Sequence, residues 1–227
     1  MRRLLLKAAG AAALLLGLVS LAPLALRRIA FFRVRRVELV GVRYLAPEQL
    51  LARLGETGRE LSVFGDLGAV ASRVRAVAGV VDARVERRLP GTLRVSIVEQ
   101  VPVALALAPD GLVALDSAGR PLPYDPAESG LELPLVPRAD TLVTRVLARV
   151  RMADSALYQA VGSADRAPGA GVTLEVGGRR ILLASGSSSE AIRAVAAVRR
   201  HLLATGQPYG ELDGRFEGWV VVRRGGS

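Results

Sequence analysis

The 227-residue sequence contains no cysteine, one lysine and one histidine. Each scarcity removes a class of chemistry. Without thiols there is no disulfide framework, and a chain of this length buries a sufficient core without one. The absence fits an oxidising or a reducing compartment equally. The single lysine, Lys7, lies near the N-terminus, so the rest of the chain holds neither a P-loop lysine nor a Ser-x-x-Lys pair. The single histidine, His201, is preceded by Arg199 and Arg200 on a predicted helix. It has no cysteine with which to share a zinc ion and no close cluster of carboxylates. A Ser–His pair with the run Ser185-Gly186-Ser187-Ser188-Ser189 stays arithmetically open, but no G-x-S-x-G elbow surrounds it. The run reads better as a loop ending in a helix N-cap, where a serine oxygen accepts from free backbone N–H groups. The inventory yields no catalytic constellation, no metal site and no cofactor site, and the expectation is a protein that is not an enzyme.

Acidic residues are missing from one region only. Residues 1–36 carry eight basic groups and no acidic ones, and the other 191 residues carry 23 basic against 21 acidic. The net charge of +10 therefore sits at the N-terminal end, where anionic lipid headgroups would attract it. A basic nucleic-acid-binding face on the remainder is not expected. Arg84, Arg87 and Arg88 read as a solvated strand face.

Between those charges runs an uncharged apolar stretch, Ala8 to Leu26, 19 residues long. As a helix it would measure about 28 Å at ~1.5 Å per residue, near the ~30 Å hydrocarbon thickness of a bilayer. It exceeds the usual apolar core of a cleaved signal, and Pro23 spoils the Ser20-Leu21-Ala22 cleavage spacing. The expectation is an uncleaved anchor. Three basic residues precede the stretch and five arginines follow it by Arg36. A strict positive-inside count would place the C-terminal side in the cytoplasm, but the charged N-terminus also resists translocation, so charge does not fix the orientation. Phe31 and Phe32 read as interfacial anchors.

Past the anchor, periodicity outlines a compact module. Val34–Val40 reads as a strand closed by Gly41. Pro47 opens a helix with Leu50, Leu51 and Leu54 on its buried side, stopped by Gly55. Asp66 caps a second helix with the stripe Leu67, Val70, Val74 and Val77, ended by Gly79. Val81, Ala83 and Val85 alternate with polar residues, Leu89-Pro90-Gly91-Thr92 turns the chain, and Leu93, Val95 and Ile97 alternate on the return. This β-α-α-β-β order predicts an α+β unit with two helices on one face of a small sheet.

Further on, strands at Val103–Leu107 and Leu112–Leu115 flank an Asp110-Gly111 hairpin signal. Pro121, Pro123, Pro126, Pro134 and Pro137 read as an irregular connector. Asp140 caps a helix with Leu142, Val143, Val146, Leu147 and Val150 inward. Val172–Val176 and Arg180–Leu183 form a hairpin through Gly177-Gly178. A helix follows with Ile192, Val195, Ala196 and Leu202 on its apolar side, and Gly218–Arg223 reads as the last strand.

Two stretches carry a family resemblance. Arg35-Arg36-Val37-Glu38-Leu39-Val40-Gly41 with Ala46-Pro47-Glu48-Gln49-Leu50, and then Val80 through Val95 with its Leu89-Pro90-Gly91-Thr92 turn, resemble a POTRA domain. Glu99-Gln100-Val101-Pro102-Val103-Ala104 resembles the exit from one. A single such domain after one membrane helix is similar to the FtsQ/DivIB family of bacterial division proteins. Gly111–Gly119 resembles that family's strand and turn after the POTRA domain. Glu211-Leu212-Asp213-Gly214-Arg215-Phe216 resembles its Asp-Leu-Arg-Tyr segment, with Gly214 and Phe216 as departures.

The resemblance implies an organisation: a cytoplasmic tail at 1–7, a transmembrane helix at 8–26, a juxtamembrane linker at 27–33, a POTRA domain at 34–104 and a mixed α/β C-terminal domain with a largely antiparallel sheet at 105–227. It implies a single-pass inner-membrane protein of the division septum with its C-terminal domains outside the cytoplasm. The work would be scaffolding between early and late division proteins, with FtsB-like and FtsL-like partners, and neither nucleic acid nor a small-molecule substrate. Arg215, Phe216, Gly218, Trp219, Val220, Val221 and Val222 are the expected partner-binding residues, on a sheet edge that accepts an added strand. From the residues alone, Trp219 is as readily a core residue as an interface anchor. Tyr44 and Tyr124 read as packing or surface residues. A POTRA protein that handles translocating polypeptides is an alternative, but no second POTRA-like repeat or barrel pattern is present. A membrane-anchored cell-wall enzyme is a weaker one.

Overall fold

A computed structural model describes residues 33–55, 65–109, 111–169 and 171–224. The apolar stretch 8–26, with Phe31 and Phe32, lies outside the described residues. Among the described residues, no helix is long and apolar enough to cross a membrane. The chain divides into two units, one ending at Glu99 and the other starting at Gln100.

In the first unit, β1 (Arg36–Val40), α1 (Pro47–Gly55), α2 (Leu67–Arg75), β2 (Val80–Arg88) and β3 (Thr92–Glu99) follow in the expected order. The sheet runs β1-β3-β2, with β3 parallel to β1 and antiparallel to β2. Asp66 caps α2 by accepting from the amides of Gly68 and Ala69, which satisfies two donors that the first helical turn leaves free. Leu50, Leu54, Val70 and Val74 of the helices and Leu93, Val95 and Ile97 of β3 are buried in the core of this unit. Each such side chain contributes about 1.5–3 kcal/mol by leaving water.

Val81 departs from the expected alternation. A register shift between Val80 and Asp82 inserts one extra residue, and a strand slipped by one turns its side chains over. Val81 is therefore 56% exposed while Ala83 is buried. The Glu99 carboxylate at the end of β3 accepts from the backbone amides of Arg43, Tyr44 and Leu45 at 2.8–2.9 Å, tying the β1–α1 loop to the end of the sheet.

The second unit is built on an eight-stranded sheet. Its elements are β4 (Ala104–Ala108), β5 (Gly111–Leu115), α3 (Pro126–Ser129), β6 (Leu135–Val136), α4 (Thr141–Ala153), α5 (Ser155–Gln159), β7 (Ser163–Ala167), β8 (Gly171–Val176), β9 (Arg179–Ala184), α6 (Ser189–Ala204), β10 (Glu211–Asp213) and β11 (Val221–Arg223). The strand order is β11-β10-β9-β8-β7-β6-β4-β5.

Four junctions are antiparallel and three parallel, so the sheet is more mixed than expected. The difference comes from β6, a two-residue strand inside the proline-rich connector. It lies between β4 and β7, parallel to both, held by Leu105 N–H to Pro134 O and Leu135 N–H to Gly162 O. The third parallel junction, β9 with β10, follows the crossover through α6, as parallel neighbours require.

One face of the sheet carries the core. Leu174, Val176, Ile181, Leu183 and Leu212 meet Val143, Val146, Leu147 and Val150 of α4, Leu157 of α5, and Ile192, Val195 and Ala196 of α6. Ala104, read from the sequence as the end of the first domain, belongs to this core. Ser185–Ser188 form a loop whose last residue caps α6, its side chain accepting from Ala191 N–H, and Ser189 opens the helix.

Candidate protein-interaction edge

The sheet has two ends. At the β5 end the chain folds back: Leu122 N–H donates to Ala114 O, and Pro121 bridges Leu115. At the other end β11 pairs with β10 alone, and among the described residues no strand lies on its outer side.

The segment leading into β11 starts in β10. Gly214 N–H donates to Leu182 O and extends the pairing with β9 by one residue. The chain then turns, with Trp219 N–H donating to Phe216 O and Gly218 at φ +77°. Regular strand structure begins only at Val221, three residues later than the sequence reading, because positive φ at Gly218 is a turn conformation rather than a strand one.

Register assigns the backbone groups of β11. Glu211, Leu212 and Asp213 oppose Arg223, Val222 and Val221, and Arg223 O accepts from Gly210 N–H. Alternation therefore aims the backbone of Arg223 and Val221 at β10 and that of Val222 outward.

The seven expected partner-binding residues divide between the two faces of this edge. Phe216, Gly218, Trp219 and Val220 line a groove of about 380 Å³ beside the start of α6, with Ala191 and Ala194 on the helix side. Trp219 is 77% exposed and Phe216 50%, so Trp219 is not a core residue. Val220 packs partly against the core, and Val221 and Val222 are exposed on the strand.

Arg215 lies on the face away from the helices, where it crosses Gly171 and bonds Asp213 through Nε and Nη2 at 2.9 and 2.7 Å. That hydrogen bonding by Arg215 holds the fully buried Asp213 carboxyl below the usual carboxylate range. Burial opposes the shift, and the Arg223 charge adds to it. Sequence reading placed Arg223 in the edge strand but left Arg223, Glu211 and Asp213 out of the expected partner-binding residues. The polar–apolar–polar alternation of Glu211-Leu212-Asp213 in β10 was the available signal for the two acids.

Gly214, a departure from the family segment, has a packing cause. A Cβ there would lie 2.4 Å from Val195 Cγ2 of α6, so any side chain would force Val195 to shift. Among the described residues, no group of three His, Asp or Glu side chains is placed to hold a metal ion.

Comparison with known proteins agrees with the first unit and extends to the whole chain. Residues 32–100 match the family model described as a POTRA domain, FtsQ-type. The cell division protein FtsQ of Salinibacter ruber is 31% identical over 96% of this chain and 93% of its own length. FtsQ of Mycolicibacterium smegmatis is 34% identical over 51% of this chain and 36% of its own. FtsQ of Novosphingobium aromaticivorans is 36% identical over 40% and 28%. With a relative of that identity aligned along nearly its full length, the chain belongs to the FtsQ family of cell-division proteins.

Proposed function

We propose that this protein is a non-enzymatic scaffold of the bacterial division machinery. It would be anchored by residues 8–26 and linked through 27–33 to a POTRA domain and a C-terminal domain outside the cytoplasm. It would bind FtsB-like and FtsL-like partners, the former by strand addition at β11. The observation that carries the reading is the open outer side of β11, next to the exposed Phe216 and Trp219, in a chain of the FtsQ family. An apolar edge of this kind risks aggregation unless a partner covers it, and an added strand would bond it through backbone groups.

The register selects the test. Proline at Val222 removes the outward N–H and leaves the β10 ladder intact, whereas proline at Val221 breaks that ladder. Val222→Pro should therefore fold like the parent by circular dichroism and lose at least about tenfold in affinity for the cell's FtsB-like protein. Parental binding by a folded Val222→Pro chain refutes strand addition at this edge.

A further inference from the structure

One row of side chains crosses the face of the sheet opposite its helices with alternating charge. Glu175 of β8 opposes Arg180 of β9, Arg180 opposes Glu211 of β10, and Glu211 opposes Arg223 of β11. The last two pairs are closed ion pairs, each at 3.2 Å. Arg223 also reaches Asp213 at 3.4 Å.

The row is asymmetric in depth. Glu211 and Asp213 are sunk into the sheet, while the Arg180 and Arg223 side chains are 66% and 55% exposed. Solvent at this end of the face meets guanidinium groups, and the row stops on a cation at the outermost strand. Two residues back on the same face stands the exposed, apolar Val221.

Laterally opposed side chains on neighbouring strands attract when their charges differ and repel when they match. We infer that Arg223 selects the strand added at β11: the partner residue taking the next place in the row is an aspartate or glutamate, and the partner residue that meets Val221 is apolar. The inference rests on strand addition at this edge. The chemistry fits an arginine, whose planar fork keeps donors for a second carboxylate while Nη1 and Nη2 face Glu211 and Asp213.

Reversing the charge at Arg223 would set it against Glu211 and detach β11, so neutral substitutions are the better probe. Binding of the purified full-length chain to the cell's own FtsB-like protein is measured for the parent, Arg223→Gln and Val222→Pro. Each is then paired with partner variants in which every Asp and Glu is changed singly to Asn or Gln. Arg223→Gln should weaken binding roughly three- to tenfold at low salt, and the loss should shrink as salt rises.

One partner variant should weaken binding to the parent by a similar factor and change nothing further against Arg223→Gln. Parental binding by Arg223→Gln, with Val222→Pro impaired, overturns the charge selection and leaves strand addition standing. Weakened binding without a coupled partner acid also overturns it, because the arginine then acts only by holding β11. Undiminished binding by Val222→Pro removes strand addition and this inference together.

Discussion

Gly214 shows how one residue can differ from a family pattern for a reason that lies elsewhere in the chain. The φ of Gly214 lies outside the left-handed region, so strain is not the cause; the obstacle is Val195, fully buried on α6. Gly214→Ala should lower the free energy of unfolding by about 1–3 kcal/mol, the usual cost of overpacking a filled site. In a Val195→Ala background the same change should cost clearly less, since the clashing methyl is gone. Equal penalties in both backgrounds, measured by denaturant unfolding, would sink the packing account. The sequence shows the glycine but not its neighbour: position 195 reads only as one of several apolar sites on a helix. Trp219 illustrates the same limit, because core and exposed tryptophans share one local pattern. What separates them is the turn at Gly218, which leaves Trp219 ahead of β11 and exposed.

Elements were legible where caps and periodicity agreed. Asp66, Asp140 and Ser188 each cap the helix expected of them. The elements that were missed lack local preference. β6 has two residues between prolines, and β7 reads Ser-Ala-Asp-Arg-Ala, a composition poor in the branched and aromatic residues that favour strands. Neighbouring strands impose both. Two caps also join elements: Asp140 accepts from Arg166 of β7, and Asp154, at the N-terminus of α5, accepts from Arg200 of α6. These arginine hydrogen bonds are the main reason both carboxyls titrate below the usual aspartate value of 3.8. A depressed folded-state pKa gives stability that is complete above the unfolded value and is lost as pH falls through the folded one. The melting temperature should therefore fall as pH drops below about 4. Asp140→Asn with Asp154→Asn keeps both caps, since asparagine caps well, and removes both charges. That double variant should melt lower than the parent at neutral pH and lose less on acidification. An unchanged acid slope would show that these two ion pairs do not set it.

For the whole molecule, the proposed function turns on the side of the membrane on which the two units would work. Lys7 and two arginines precede the apolar stretch, and five arginines follow it by Arg36. Two of those five already belong to the folded module, since the Arg35 and Arg36 amides both donate to Gly91 O. Long domains translocate largely regardless of their charge, so the five weigh less than their number suggests. Arg2, Arg3 and Lys7, on the other side of the stretch, favour the opposite orientation. The proposed scaffold function requires a cytoplasmic N-terminus. A reporter active only in the cytoplasm, fused after Ser227, should stay silent, while a reporter active only outside it should work. A fluorescent fusion at the N-terminus should gather at midcell before constriction. A silent cytoplasmic reporter with a dispersed envelope signal would keep the topology and remove the division role. A fully active cytoplasmic reporter would place β11 on the wrong side for an extracytoplasmic partner and end the scaffold reading altogether.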